Sequence, residues 1–148
     1  MEQWLEGDAR LNEQSVPVWH MHESLERLER LAAMFPRVAL GSSGQWREPG
    51  TDDWRVRMHQ AFSVLCDEHG RPQVKLHGLR MMDPTIFSHF PFSSVDSTNI
   101  VRNCSRTAKQ FQVTKDAAAL LMREGCENHA CAVVWSGKAE WQNELLID

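Results

Sequence analysis

Tyrosine is absent from this chain, although six tryptophans and six phenylalanines occur in its 148 residues. We have no physical account of that imbalance, and it excludes no class of function. Other absences exclude more. No stretch approaches the ~20 consecutive apolar residues of a membrane-crossing helix, so no membrane partner is expected. The opening residues, Met1-Glu2-Gln3-Trp4-Leu5-Glu6, are acidic and lack the basic and apolar regions of a secretion signal, which makes the cytoplasm the expected location. The formal net charge is -4, so the surface as a whole does not advertise nucleic acid, although local patches can. Four cysteines, Cys66, Cys104, Cys126 and Cys131, read as free thiols in such a compartment rather than as a disulfide framework. No low-complexity segment or shift of composition divides the chain. With 42% hydrophobic residues, 1–148 reads as a single domain with a real core.

Taken in order, residues 1–14 suggest a weak helix. The run Val16-Pro17-Val18-Trp19-His20-Met21 is strand-like, with proline near its start. Residues 23–35 form an amphipathic helix pattern, with Leu25, Leu28, Leu31 and Phe35 at helical spacing and Glu23–Arg27 and Glu26–Arg30 as i,i+4 pairs. Val38-Ala39-Leu40-Gly41 is a second strand pattern, stopped by Ser42-Ser43-Gly44. A helix beginning at Thr51-Asp52-Asp53 buries Trp54, Met58, Ala61, Phe62 and Leu65 and stops at Gly70 and Pro72. Cys66 falls on the core side of that helix. A third strand spans 74–79, and Asp83-Pro84 opens a short helix. A fourth strand spans 92–95. Helices are expected over 98–112 and over 114–124, the latter closed by Gly125. Residues 130–135 fit a final strand or a helix.

Four strand–helix alternations predict parallel strands with crossover helices. A complete eight-unit barrel takes about 250 residues, so the expected fold is α/β, half of a TIM-type (β/α)8 barrel. A half barrel exposes sheet edges. The sheet is therefore open, or completed by a second copy or another chain, or part of a longer protein. In such folds functional groups gather where strands run out into the following loops. The four strand ends bring His20 and His22, then Gly41 to Gly44, then His77, then Asp96.

Each candidate has a plainer role beside its functional one. Asp96, flanked by Ser94, Ser97 and Asn99, suits a nucleophile or general base, and equally suits the N-cap of the next helix. His20, His22, His77 and Asp96 could together hold a divalent metal that activates water, or His22 could cap a helix while the others bond to the rim. Gly41-Ser42-Ser43-Gly44 lets backbone NH groups approach a ligand, but has neither a P-loop lysine nor dinucleotide spacing. Cys104, Cys126, His129 and Cys131 are zinc-ligand types at a spacing that fits no common structural zinc pattern. Arg102, Arg106, Lys109 and Lys115 are either phosphate contacts or a solvated helix face.

The segment Leu76-His77-Gly78-Leu79, Asp83-Pro84 and Phe90-Pro91-Phe92-Ser93-Ser94-Val95-Asp96-Ser97-Thr98-Asn99 resembles the tRNA-guanine transglycosylase (queuine tRNA-ribosyltransferase) family. It looks closest to the phage and prophage branch associated with 7-deazaguanine in DNA. Pro17-Val18-Trp19-His20 and Val38-Ala39-Leu40-Gly41-Ser42-Ser43-Gly44 agree in order, so the likeness covers roughly residues 16 to 103 through colinearity rather than a strict motif. The resemblance implies that Asp96 attacks the anomeric carbon of a guanosine in DNA or tRNA, and that a 7-deazaguanine base then replaces the guanine. It also implies that Gly41, Ser42, Ser43, Gly44, His77 and Gly78 contact the base, and that Arg102, Arg106 and Lys109 serve phosphates. The family's first barrel half, with a second catalytic aspartate, has no counterpart here, nor has its Cys-x-Cys-x-x-Cys zinc signature, so no cofactor is carried over. The chain then corresponds to the C-terminal half of such a barrel, completed by a homodimer partner or another chain. A metal-dependent hydrolase and a non-catalytic nucleic-acid-binding module are the other readings.

Overall fold

Parallel strands alternating with helices make up the described part of the chain, residues 13–137, in a computed structural model. The elements are β1 (Val18–His20), α1 (Leu25–Met34), β2 (Arg37–Gly41), α2 (Asp52–Leu65), β3 (Lys75–Leu79), α3 (Pro84–Phe87), β4 (Ser94–Val95), α4 (Asn99–Phe111) and α5 (Lys115–Glu127), with a 3-10 turn at Gly44–Trp46 before α2. The helix expected over 1–14 lies almost wholly outside the described residues.

Local chemistry explains most boundaries. Hydroxyl or carboxylate side chains accept backbone N–H groups that the first helical turn leaves open. Ser24 accepts from Arg27, Thr51 from Trp54, Asp83 from Thr85 and Thr114 from Ala117. The α1 cap is thus Ser24, and His22 stands outside the helix. Helix α2 ends at Leu65, before Gly70, because Asp67 holds a tight turn by accepting the N–H groups of His69 (2.8 Å) and Arg71 (2.9 Å). Helix α5 runs through Gly125 to Glu127, with nothing near that glycine to force a stop. Residues 130–135 form neither strand nor helix. They fold back so that Trp135 N–H reaches the Gly70 carbonyl at 2.7 Å and its indole N–H reaches His59 Nδ1 at 3.1 Å.

The strands lie in the order β1-β2-β3-β4, all parallel. Side chains alternate across the sheet. Trp19, Val38, Leu40 and Leu76 point to one face, where they join Leu28, Leu31, Met58, Phe62, Ile86 and Phe87 from the helices in one core. Aromatic packing seals its lower part, with Phe62 at 5.0 Å from Phe90 and 5.5 Å from Phe92, and Trp54 edge-on to Phe90. Cys66 is buried in this core, as its helical position implied. The opposite face carries Val18, Ala39, His77 and Ser94 in one registered row, and it lines an open cleft of about 630 Å³. Helices α4 and α5 pack on each other, leaving Val101, Phe111, Leu120 and Leu121 exposed. No helix of the described residues is long and apolar enough to cross a membrane.

Candidate functional site

Asp96 follows β4 directly and lies under the β3–α3 turn. Its backbone N–H donates to the Gly78 carbonyl at 3.1 Å, and its carbonyl accepts the Met82 N–H at 3.0 Å. Its side-chain Oδ1 accepts the Arg80 N–H at 2.7 Å. Arg80 adopts φ 62°, left-handed backbone that an L side chain enters at a cost, and the turn so formed points its N–H at Asp96. Helix α4 is capped instead by Thr98, which makes no side-chain cap bond, and α4 has no acidic residue in its first turn. The N-cap role open to Asp96 in the sequence is therefore not the one it takes.

The second carboxylate oxygen, Oδ2, faces His77 Nε2 at 3.4 Å. His77 Nδ1 in turn lies 2.7 Å from Ser94 Oγ. A carboxylate facing Nε2 requires the proton on that nitrogen, so in the neutral ring Nδ1 accepts from the Ser94 hydroxyl. Serine, histidine and aspartate form a hydrogen-bonded chain along β3 and β4. The Asp96 side chain stays 55% exposed, against 29% for His77, so the carboxylate is oriented yet open to a reactant. His77 is mid-strand, paired in register with Ala39 and Ser94, rather than at a strand end. Ser94 bonds to His77 and not to Asp96.

The other rim residues gather at the β1–β2 side. The His20 and His22 rings stack, with centroids 5.8 Å apart. A Cβ on Gly41 would lie 3.2 Å from His20 Nδ1, so the absence of a side chain there seats the imidazole. Ser43 Oγ holds His22 Nδ1 at 2.8 Å, and Ser42 Oγ accepts the indole N–H of buried Trp54 at 2.9 Å. Gly44 turns the chain at φ +61° beside His22. This loop is pinned by side-chain bonds. Gly78 faces the covered side of the sheet, where a Cβ would meet Met81 and Val95 at 3.0–3.1 Å.

His20 ends β1 and His22 lies two residues beyond it, whereas His77 is on β3, two strand spacings or about 10 Å across the sheet, and Asp96 follows β4, three spacings or about 14 Å across. The fold does not draw the four together, and no group of three or more metal-ligand side chains converges among the described residues. Cys104, Cys126, His129 and Cys131 also stay apart in their bonding. Cys131 donates to the Phe92 carbonyl, His129 Nδ1 bonds to the Gly125 carbonyl, and Cys104 donates to the Val101 carbonyl. All four cysteines are free thiols, and burial, aided by Asp83 and Glu127, pushes the Cys126 thiol pKa up.

Arg102, Arg106 and Lys109 are exposed on α4, at a spacing that sets them along one stripe. Arg102 reaches the Asp96 end of that stripe, where it shares a polar cleft of about 270 Å³ with Arg80, Asp83, Ser97, Thr98 and Asn103. Sequence reasoning named Ser94 beside Asp96, although its bond goes to His77. It missed Arg80, which acts through its backbone, and no residue type signals that. Set against known proteins, the chain matches no family model, and it has no significant match among curated proteins or solved structures.

Proposed function

We propose that this chain is the nucleophile-bearing half of a transglycosylase-like (β/α)8 barrel that exchanges guanine for a 7-deazaguanine base in DNA or tRNA. The observation that carries this reading is the state of Asp96: one oxygen held by the Arg80 N–H, the other beside His77 on a side chain that stays exposed, and neither used as a helix cap. The resemblance of residues 16 to 103 to the transglycosylase family supplies the reaction class. Consecutive strand order with one uncovered sheet face suits half of a barrel.

In this reaction the Asp96 carboxylate attacks C1′ of the guanosine. The C1′–N9 bond breaks, guanine leaves with the electron pair and takes up a proton, and the sugar remains as an ester of Asp96. The incoming deazaguanine gives up a proton and attacks C1′ through N9, which releases the carboxylate unchanged. Two displacements of modest barrier replace one difficult step. The target base must leave its stack to meet the carboxylate. Arg102, Arg106 and Lys109 contact the backbone phosphates, which positions the strand without reading sequence.

The test is Asp96→Asn in the chain isolated natively with the polypeptide that covers its open face. Base exchange by wild type and none by the variant supports the mechanism; exchange that survives the substitution removes it. A second reading, nucleic-acid binding without chemistry, is favoured by the basic stripe on α4, which enters no ion pair among the described residues. It predicts binding that is equal in both forms, with no exchange by either.

A further inference from the structure

The uncovered face of the sheet carries an unbalanced charge. Arg37 and Lys75 open β2 and β3 and are partners in register. Both line the open cleft, together with apolar Val16, Val18, Ala39 and Leu79. Among the described residues no carboxylate lines that cleft, and neither cation enters an ion pair or a side-chain hydrogen bond. They sit at the opposite end of the strands from Asp96.

Parallel strands are found covered on both faces, and among the described residues only one is. The nature of the cover follows from charge. A purely apolar cover would strip water from two cations and return nothing. A second copy, placed by the two-fold axis that closes eight strands, would set its own Arg37 and Lys75 across the barrel from the first pair. The interior of an eight-stranded barrel is only wide enough for side chains, so four cations would then share a poorly hydrated layer. A cover with carboxylates at that level turns the same burial into paired charges.

We propose that this face docks a different polypeptide, one presenting parallel strands whose inner surface carries Asp or Glu side chains opposite Arg37 and Lys75. This rests on reading the chain as a barrel half, and it selects between the two completions that reading leaves open.

The charge-reversed chain Arg37→Glu/Lys75→Glu serves as a surrogate half with an acidic inner face. Both positions are exposed, and circular dichroism confirms that the variant is folded. Sedimentation of wild type alone, variant alone and an equimolar mixture gives the answer. The expected result is two monomeric samples and a mixture that forms a 1:1 dimer, tighter than either self-association by about ten-fold or more and weakened by salt. Wild type that dimerises as tightly as the mixture overturns the proposal in favour of a second copy. A mixture that stays monomeric overturns it as well. Loss of guanine-containing oligonucleotide binding in the variant, without any dimer, assigns the cations to phosphates instead. Asp96 is untouched by these substitutions, so failure here leaves the nucleophile standing. A dimerising mixture with no role for Asp96 in base exchange removes only the nucleophile.

Discussion

The Arg80 amide donates to Asp96 Oδ1 at 2.7 Å, so the carboxylate is oriented by a turn sixteen residues upstream rather than by the helix that follows it. The turn holds this geometry through a left-handed arginine at φ 62°. Arg80→Gly keeps the N–H and relieves the backbone. Left-handed placement of a side chain costs about 1–2 kcal/mol, and glycine's extra chain entropy offsets part of the relief, so a net stabilisation of about 0.5–1 kcal/mol is expected. Urea denaturation measures it; a fall in stability would mean that the Arg80 side chain contributes more than its backbone strain costs.

Arg57 ties the β1–α1 turn to α2. Its guanidinium lies between Trp19 and Trp46, 5.3 and 4.8 Å from the ring centroids. It donates to the Met21 and Glu23 carbonyls and to Gln60 Oε1. Burial draws its pKa below the ordinary arginine value, and three acceptors with two π-faces hold the charge in place. Lysine cannot reproduce that planar fork, so Arg57→Lys is expected to cost about 2 kcal/mol in denaturant unfolding.

Gly70 admits the returning C-terminal segment. Its φ is +74°, and a Cβ would fall on the Trp135 carbonyl oxygen at 2.2 Å, backbone that cannot swing aside. Gly70→Ala is expected to cost about 3 kcal/mol and to release Trp135 from the core. A red-shifted tryptophan emission with faster proteolysis near residue 135 is the expected signature.

Acid reaches the structure at Asp67. Backbone N–H groups of Arg71 and His69 hold its carboxyl below the usual range. A lowered folded-state pKa means that the group stabilises the fold above its unfolded pKa of about 3.9. That contribution is lost as pH falls through the lowered value. Asp67→Asn should lower stability at neutral pH and flatten this acid limb of the stability curve, so that the variant and wild type converge in acid, as thermal melts from neutral to acidic pH will report.

Helix starts were legible because one residue decides each of them: Thr51 and Asp83 cap as their types imply. Parallel pairing was legible because the alternation leaves little else for four short apolar runs to do. Asp96 was legible as a strand-end carboxylate. Its holder was not, since an amide donor at Arg80 depends on a left-handed backbone that arginine does not announce. His77 was placed at a strand end, yet register with Ser94 sets it mid-strand, and that shift is what lets it bond Ser94 and Asp96 together. The four-ligand metal set looked coherent along the chain because sequence order hides lateral distance. Trp135 could not be assigned from its own run, because its contacts, Gly70 and His59, lie more than sixty residues away.

The most direct measurement is mass analysis of Asp96 itself. The natively isolated complex is given guanine-containing DNA or tRNA and quenched in acid or denaturant before the second base can act. The account predicts a sugar ester on the peptide that contains Asp96, absent in Asp96→Asn and discharged by added deazaguanine. An unmodified Asp96 in a preparation that performs base exchange would contradict it.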